Sequence, residues 1–96
     1  MIVDVIPSDT LVIYNAFSPN GDGINEVFFI GNIEKYPNNQ LEIYNRNGKM
    51  VYEASPYNND WNGKIDGNDI PCATYYFVLD TGNGKQKKHG AVTIIR

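Results

Sequence analysis

LEIYNRNGKMVYE, residues 41–53, contains the clearest local structure in this sequence. Its two outer runs are rich in β-branched and aromatic residues, which favour strands. Between them, the Asn47-Gly48 step supplies the positive-φ positions of a tight turn. These residues therefore predict a β-hairpin with strands at 41–44 and 50–53.

A second hairpin is predicted nearer the C-terminus. Residues 74–80 and 89–95 have the composition of its two strands, joined through Gly82, Asn83 and Gly84. Every position from Tyr75 to Leu79 is apolar or aromatic, which predicts a central strand with both faces covered. Similar short runs at 10–14 and 27–30 predict two further strands.

Turn-forming residues punctuate the whole chain. Thirteen asparagines, nine glycines and five prolines cluster at intervals of about ten residues, which is typical of short strands joined by turns. The polar segment 56–71 predicts a long structured loop. Because helical periodicity is missing, the sequence predicts an all-β fold, a small immunoglobulin-like antiparallel β-sandwich of about six to seven short strands.

Charge and hydropathy exclude two classes of partner. The 96 residues carry 8 basic and 11 acidic side chains, a net charge of −3, and lack the clustered basic face that nucleic acids require. No segment approaches the roughly 20 apolar residues needed to span a bilayer. The first residues also lack the features of a signal peptide, so a natural start at Met1 would indicate a cytoplasmic protein.

Two residues invite a functional interpretation but favour a structural one. Cys72 is the single cysteine, and with no base evident near it we expect a small buried apolar residue rather than a catalytic thiol. Trp61, between Asp60 and Asn62, is expected to cap the core with its indole N–H on a loop oxygen. A recognition role for Trp61 is the alternative.

Residues 17–26, FSPNGDGINE, alternate oxygen-bearing side chains with glycines. Spacing at i and i+2 is how calcium loops bring oxygens onto one cation. An Asx-turn loop without metal explains the same pattern, so both interpretations stay open. The domain therefore needs either no cofactor or calcium, whose candidate ligands are Asn20, Asp22, Asn25, Glu26 and Asp60.

The remaining polar residues indicate recognition rather than catalysis. The only basic cluster, Lys85, Lys87 and Lys88 with His89, suits either a solvated sheet edge or a docking patch for an acidic partner. One histidine, no nucleophile elbow and no phosphate loop leave no catalytic set. The chain is not expected to be an enzyme.

Six blocks of the sequence together resemble one family, the gliding-motility-associated C-terminal domain. Their order and spacing follow the family pattern from Asn15 to the end, with Glu26, Asn47, Ile70 and Ala73 as conservative departures. The blocks lie at residues 17–26, 36–48, 51–53, 60–63, 70–76 and 90–96.

The resemblance implies a single sorting domain over residues 1–96, with 1–14 as a lead-in strand and Met1 as an added start. Such a domain is a type B signal of the type IX secretion system, carried at the C-terminus of a large cell-surface protein of Bacteroidota. It implies an N-terminal cargo in the same chain, and as partners the type IX translocon and an associated outer-membrane protein. Export runs through the periplasm to the cell surface or medium, and the parent's own signal peptide lies far upstream.

The terminal strand, Gly90 to Arg96, would be presented to the translocon in this interpretation. Partner-binding candidates are Lys85, Lys87, Lys88 and Arg96. Two alternatives remain: a calcium-stabilised immunoglobulin-like adhesion or carbohydrate-binding module, with Trp61 in a stacking platform, and a passive spacer.

Overall fold

The computed structural model describes residues 11–82 and 87–96. This part of the chain is built almost wholly of strands, with one 3-10 helix, Ile33–Lys35, and no α-helix. No helix in it has the length and apolarity to cross a membrane. The all-β prediction is confirmed, and the described residues form nine strands instead of six to seven. The strands are β1 (Val12–Ile13), β2 (Ala16–Phe17), β3 (Ile30–Gly31), β4 (Gln40–Tyr44), β5 (Met50–Ala54), β6 (Lys64–Ile65), β7 (Asn68–Asp69), β8 (Thr74–Asp80) and β9 (Lys87–Ile94).

One five-stranded sheet, in the order β2-β9-β8-β4-β5, forms the main wall of the sandwich. Two-stranded sheets β1-β3 and β6-β7 accompany it. Among the described strands, all pairings are antiparallel except that of β2 with β9, which run parallel and pair Ala16 with Thr93 and Phe17 with Ile94. Among the described strands, β9 therefore has a neighbour on both sides only near its C-terminal end.

Strands β4 and β5 form the hairpin predicted from residues 41–53. The amide of Gly48 donates to the carbonyl of Asn45, and that of Asn45 to the carbonyl of Lys49, both at 2.9 Å. Within this turn only Gly48 has a positive φ, 82°, so the prediction of positive φ across the Asn-Gly step is wrong for Asn47. The reason is that Asn45 Oδ1 accepts the Asn47 amide at 2.9 Å, which closes a longer turn ending in glycine.

Strands β8 and β9 confirm the second hairpin, whose connecting residues Asn83 and Gly84 lie outside the described residues. The prediction that both faces of β8 are covered is wrong. Tyr75 and its alternate neighbours face the core, whereas Tyr76 is 46% exposed. An all-apolar run does not identify covered faces, because tyrosine carries a polar hydroxyl that tolerates solvent.

The two strands predicted nearer the N-terminus are shorter than expected. Strand β1 is confined to Val12–Ile13, and Thr10 lies outside the described residues. Of residues 27–30 only the last belongs to β3. The amide of Phe28 donates to the carbonyl of Trp61 at 3.0 Å, so Phe28 is fixed by the loop segment rather than by a strand ladder.

The core lies between the five-stranded sheet and the segments around β1, β3 and residues 56–71. Aromatic rings dominate it, and they contact one another edge to face or stacked, with centroids 5.2–6.4 Å apart in the pairs of Trp61. The buried apolar residues are Phe17, Phe28, Ile30, Ile33, Leu41, Ile43, Tyr57, Trp61, Ile70, Tyr75, Phe77, Leu79, Val92 and Ile94.

Segment 56–71 is the structured loop that the sequence predicts, and it delivers Trp61 to the core. The Trp61 indole is 2% exposed, and its Nε1–H donates to the carbonyl of Lys64 at 3.3 Å, which confirms the structural interpretation. The segment also contains the unpredicted hairpin β6-β7. The sequence feature that indicates this hairpin is the Asp66-Gly67 step, whose φ values of 53° and 81° suit a type I′ turn.

Candidate functional site

The loop that follows β2 is closed by its own side chains. The two carboxylate oxygens of Glu26 accept the amides of Gly21 at 3.0 Å and Gly23 at 2.8 Å. Asn20 Oδ1 accepts the amide of Asp22 at 3.1 Å. Each acceptor thus satisfies a backbone amide within the loop, as in Asx turns.

Asp22 extends this network. Its Oδ1 accepts the amide of Ile24 at 2.9 Å. That bond is the main reason that the pKa of Asp22 lies below its ordinary value. The Asp22 carboxylate is thus a backbone acceptor at the exposed loop, as are the side chains of Asn20 and Glu26.

Of the five predicted cation ligands, Asn20, Asp22 and Glu26 have side chains that accept amides of this loop. Within the part of the chain that the structure describes, the side chains of Asn25 and Asp60 form no hydrogen bond there. Asn25 contributes its backbone carbonyl, which accepts the amide of Ser18 at 2.6 Å. Asp60 lies beside Tyr52, whose pKa is raised by burial and then by the charge of Asp60. Across residues 11–82 and 87–96, no three His, Cys, Asp or Glu side chains form a group that could hold a metal ion. The calcium site stays a prediction.

The predicted partner-binding lysines lie on β9. Lys87 and Lys88 are exposed and stand opposite Asp80 and Leu79 of β8 in the strand register. Lys85 lies outside the described residues. Neither lysine of β9 forms an ion pair within the part of the chain that the structure describes, so both charges face solvent.

Arg96, the fourth predicted partner-binding residue, is held by the domain itself. Its guanidinium donates to the carbonyls of Ile70 at 2.6 Å and Gly63 at 3.2 Å. Nη2 also lies 3.6 Å from a carboxylate oxygen of Asp69, and the arginine side chain is only 20% exposed. Arg96 therefore fastens the end of β9 to the segment that precedes β8, and a contact with a partner stays a prediction.

Cys72 is exposed, so the prediction of a buried apolar cysteine is wrong. It lies in the turn before β8, where its sulfur is 3.6 Å from Nη1 of Arg96.

The hydrogen bonds of Arg96 were not predicted from the sequence, because their main acceptors are backbone carbonyls, which no pattern of residue types identifies. The Asp66-Gly67 step was the one sequence feature that indicated a tight turn between the acceptor residues Gly63 and Ile70.

The arginine network has a measurable energetic consequence. We expect Arg96→Ala to lower the free energy of unfolding by about 1–2 kcal/mol, because two charge-assisted hydrogen bonds to carbonyls are lost. Asp69→Ala removes only the ion pair with a carboxylate that is 57% exposed, and should cost less than about 0.5 kcal/mol. Urea unfolding of both variants checks this; equal losses would contradict the role of the carbonyls.

Comparison with known proteins places these features in a family. A model described as the CHU_C type IX secretion signal domain matches residues 11–94. Among solved structures, the chain resembles PorZ of Porphyromonas gingivalis, described as an essential bacterial surface component of the type-IX secretion system. The two are 19% identical with a TM-score of 0.56, over 92% of this chain and 12% of PorZ, so this likeness supports the fold alone.

A search of curated proteins finds no match. The family model nevertheless spans all nine strands, from before β1 to the end of β9. The chain therefore belongs to the CHU_C family and is a type IX secretion signal domain.

Proposed function

We propose that this domain is the sorting signal of a cargo polypeptide joined to its N-terminal side. The type IX system, through its translocon and an associated outer-membrane protein, carries that cargo from the periplasm to the cell surface or the medium. Neither nucleic acid binding nor membrane insertion takes part. Membership of the secretion signal family supports this proposal.

The observation that carries the mechanism is the position of the C-terminal strand. Strand β9 pairs with β8 along its whole length and with β2 at its end. Arg96 then fastens the residues after it to Gly63 and Ile70. A signal held this way is read as a folded surface and not as a loose tail.

The same core supports treating residues 1–96 as one sorting unit. In support, buried side chains from Phe17 to Ile94 pack in a single cluster, as in one folded unit. The domain acts by recognition and not by catalysis. In support, its only histidine, His89, is exposed on β9, and the only tryptophan is buried in the core rather than in a stacking platform.

A loop after β2 that needs no metal is supported by its carboxylate and amide oxygens, which accept backbone amides of the loop. We expect the melting temperature to be the same in EDTA and in about 5 mM calcium, which exceeds the weakest Kd typical of extracellular calcium modules. Glu26→Gln should lower it equally in both, since a side-chain N–H would then face an amide. A calcium-dependent rise in the wild type, with heat in calorimetry, would restore the metal site.

Export itself is the direct test. A fluorescent reporter with a periplasmic signal peptide, fused to the N-terminal side of residues 1–96, is expressed in a gliding bacterium with and without its type IX system. We expect the reporter outside the cell only when the system is present. A folded fusion retained in the periplasm of both strains would refute the proposed function.

A further inference from the structure

The backbone groups of β9 alternate in direction. The amide of Thr93 donates to the carbonyl of Asn15 at 2.9 Å, on the side away from β8. The next amide, that of Ile94, points the other way and donates to the carbonyl of Ala73 at 2.9 Å. Because this alternation continues along a regular antiparallel strand, the N–H and C=O groups directed away from β8 include those of Lys87, His89 and Ala91.

Strand β2 covers only the end of this side. It pairs with β9 at Thr93 and Ile94. Within residues 11–82 and 87–96, no strand lies along β9 from Lys87 to Val92 on the side away from β8. We call the outward backbone groups of Lys87, His89 and Ala91 the outer edge of β9.

The outer edge has the geometry of a strand that can accept another strand. The register of β9 with β8 runs without a shift from Thr93 back to Lys87, so no bulge interrupts the described hairpin. The strand is eight residues long and contains no proline. Proteins usually protect exposed edges with short strands, bulges, proline or charge, and of these β9 has only charge.

That charge selects the kind of strand that can pair here. Lys87, Lys88 and His89 are exposed on a chain whose net charge is −3. Asp80, opposite Lys87 in the register, instead accepts the amide of Gly82 at 2.8 Å. Strand β9 contains no acidic residue, so pairing with a second copy would add two further lysines and leave all of these charges unneutralised. An acidic segment has no such penalty.

We propose that the outer edge of β9 binds an extended acidic segment of a component of the secretion machinery by β-strand addition. The proposal rests on the proposed function and gives it a mode of recognition. Main-chain hydrogen bonds to residues 87, 89 and 91 supply affinity, and acidic side chains beside Lys87 and Lys88 supply specificity. This role uses the lysines that otherwise only protect the edge.

An export assay of two His89 variants distinguishes the contribution of the backbone N–H from that of the side chain. His89→Pro removes one outward N–H and should leave the sheet intact, because proline is tolerated on an edge strand where the N–H faces solvent. His89→Thr keeps the N–H and is the matched control. In the reporter fusion with residues 1–96, we expect His89→Thr to be exported normally and His89→Pro at least about tenfold less.

The charge requirement is tested by the double variant Lys87→Glu and Lys88→Glu, which changes only exposed side chains. We expect its export to be about tenfold lower than that of the wild type. Melting of each purified variant verifies folding. Normal export of folded His89→Pro would overturn strand addition, and normal export of the charge-reversed variant would overturn the acidic partner. A wild-type fusion that is never exported would instead refute the proposed function.

A binding experiment tests the edge independently of export. The isotope-labelled domain, residues 1–96, is mixed with a peptide of alternating valine and glutamate, matched in length to β9, or with its valine–lysine counterpart. We expect the glutamate peptide alone to slow hydrogen exchange at the amides of Lys87, His89 and Ala91. Unchanged exchange at these amides, or equal protection by both peptides, would overturn the proposal.

Discussion

Replacement of Trp61 by alanine is expected to lower the free energy of unfolding by about 3–5 kcal/mol, the range for large aromatic residues removed from cores. Trp61 is 2% exposed. Its ring stacks on Tyr52 at a centroid distance of 5.2 Å and meets Phe17 edge to face at 5.6 Å. The change would leave a cavity where three segments of the chain meet. Because small domains have total stabilities near the low end of about 5–15 kcal/mol, most of the stability of the domain should be lost and the urea midpoint should fall sharply.

Urea unfolding followed by circular dichroism measures this loss, since the substitution removes the only tryptophan and its fluorescence. Tyr76→Thr is the matched control, because Tyr76 is an aromatic of the same protein that is 46% exposed and threonine preserves strand propensity. The control should cost less than about 0.5 kcal/mol. Similar losses in both variants would show that Trp61 is not central to the core.

Tyr57→Phe is expected to cost about 2–4 kcal/mol although it removes a single oxygen, because buried backbone groups left without a partner are expensive. The hydroxyl donates to the carbonyl of Phe28 and accepts the amide of Trp61 at 3.1 Å. All of these groups are buried. Tyr44→Phe is the matched control, since the Tyr44 hydroxyl donates only to the half-buried Glu42 carboxylate at 3.0 Å. Chemical unfolding of the two variants should differ by more than about 1 kcal/mol; equal losses would contradict the buried network.

The same hydroxyl predicts a pH dependence. Burial raises the pKa of Tyr57 well above its ordinary value of 10.0, so the folded state retains a proton that the unfolded chain releases. The stability is therefore complete below pH 10 and falls as the pH rises further. Melting temperatures across about pH 8–11, which spans the ordinary tyrosine pKa, should decline more steeply for the wild type than for Tyr57→Phe. Parallel declines would show that Tyr57 does not dominate the alkaline transition.

Local structure was largely readable from the sequence. The turn around Gly48 and the two hairpins follow from turn residues and β-branched runs that act over a few neighbouring positions. The order and spacing of six sequence blocks were also sufficient to identify the family. Trp61, flanked by polar residues, was correctly predicted to face the core with its indole N–H on a loop carbonyl.

The candidate site was only partly readable. The loop with Asn20, Asp22 and Glu26 was recognised as a cluster of oxygens, but the sequence could not tell whether those oxygens meet a cation or backbone amides. Cys72 was assigned to the core because cysteine is usually buried, and its exposure depends on the turn that brings it to Arg96. Residue type indicates whether a side chain is usually buried, but its burial in this fold depends on the segments that pack around it.

The two long hairpins, β4-β5 and β8-β9, could be predicted from the sequence, since strand and turn preferences depend on adjacent residues. Tertiary packing determines which tyrosines are buried and which side of β9 lacks a neighbouring strand among the described residues. It also brings Arg96 to carbonyls 26 and 33 residues away in the chain. These features arise when distant segments pack together, because burial and the satisfaction of backbone groups are properties of the assembled fold. A residue's own neighbours in sequence carry little information about them.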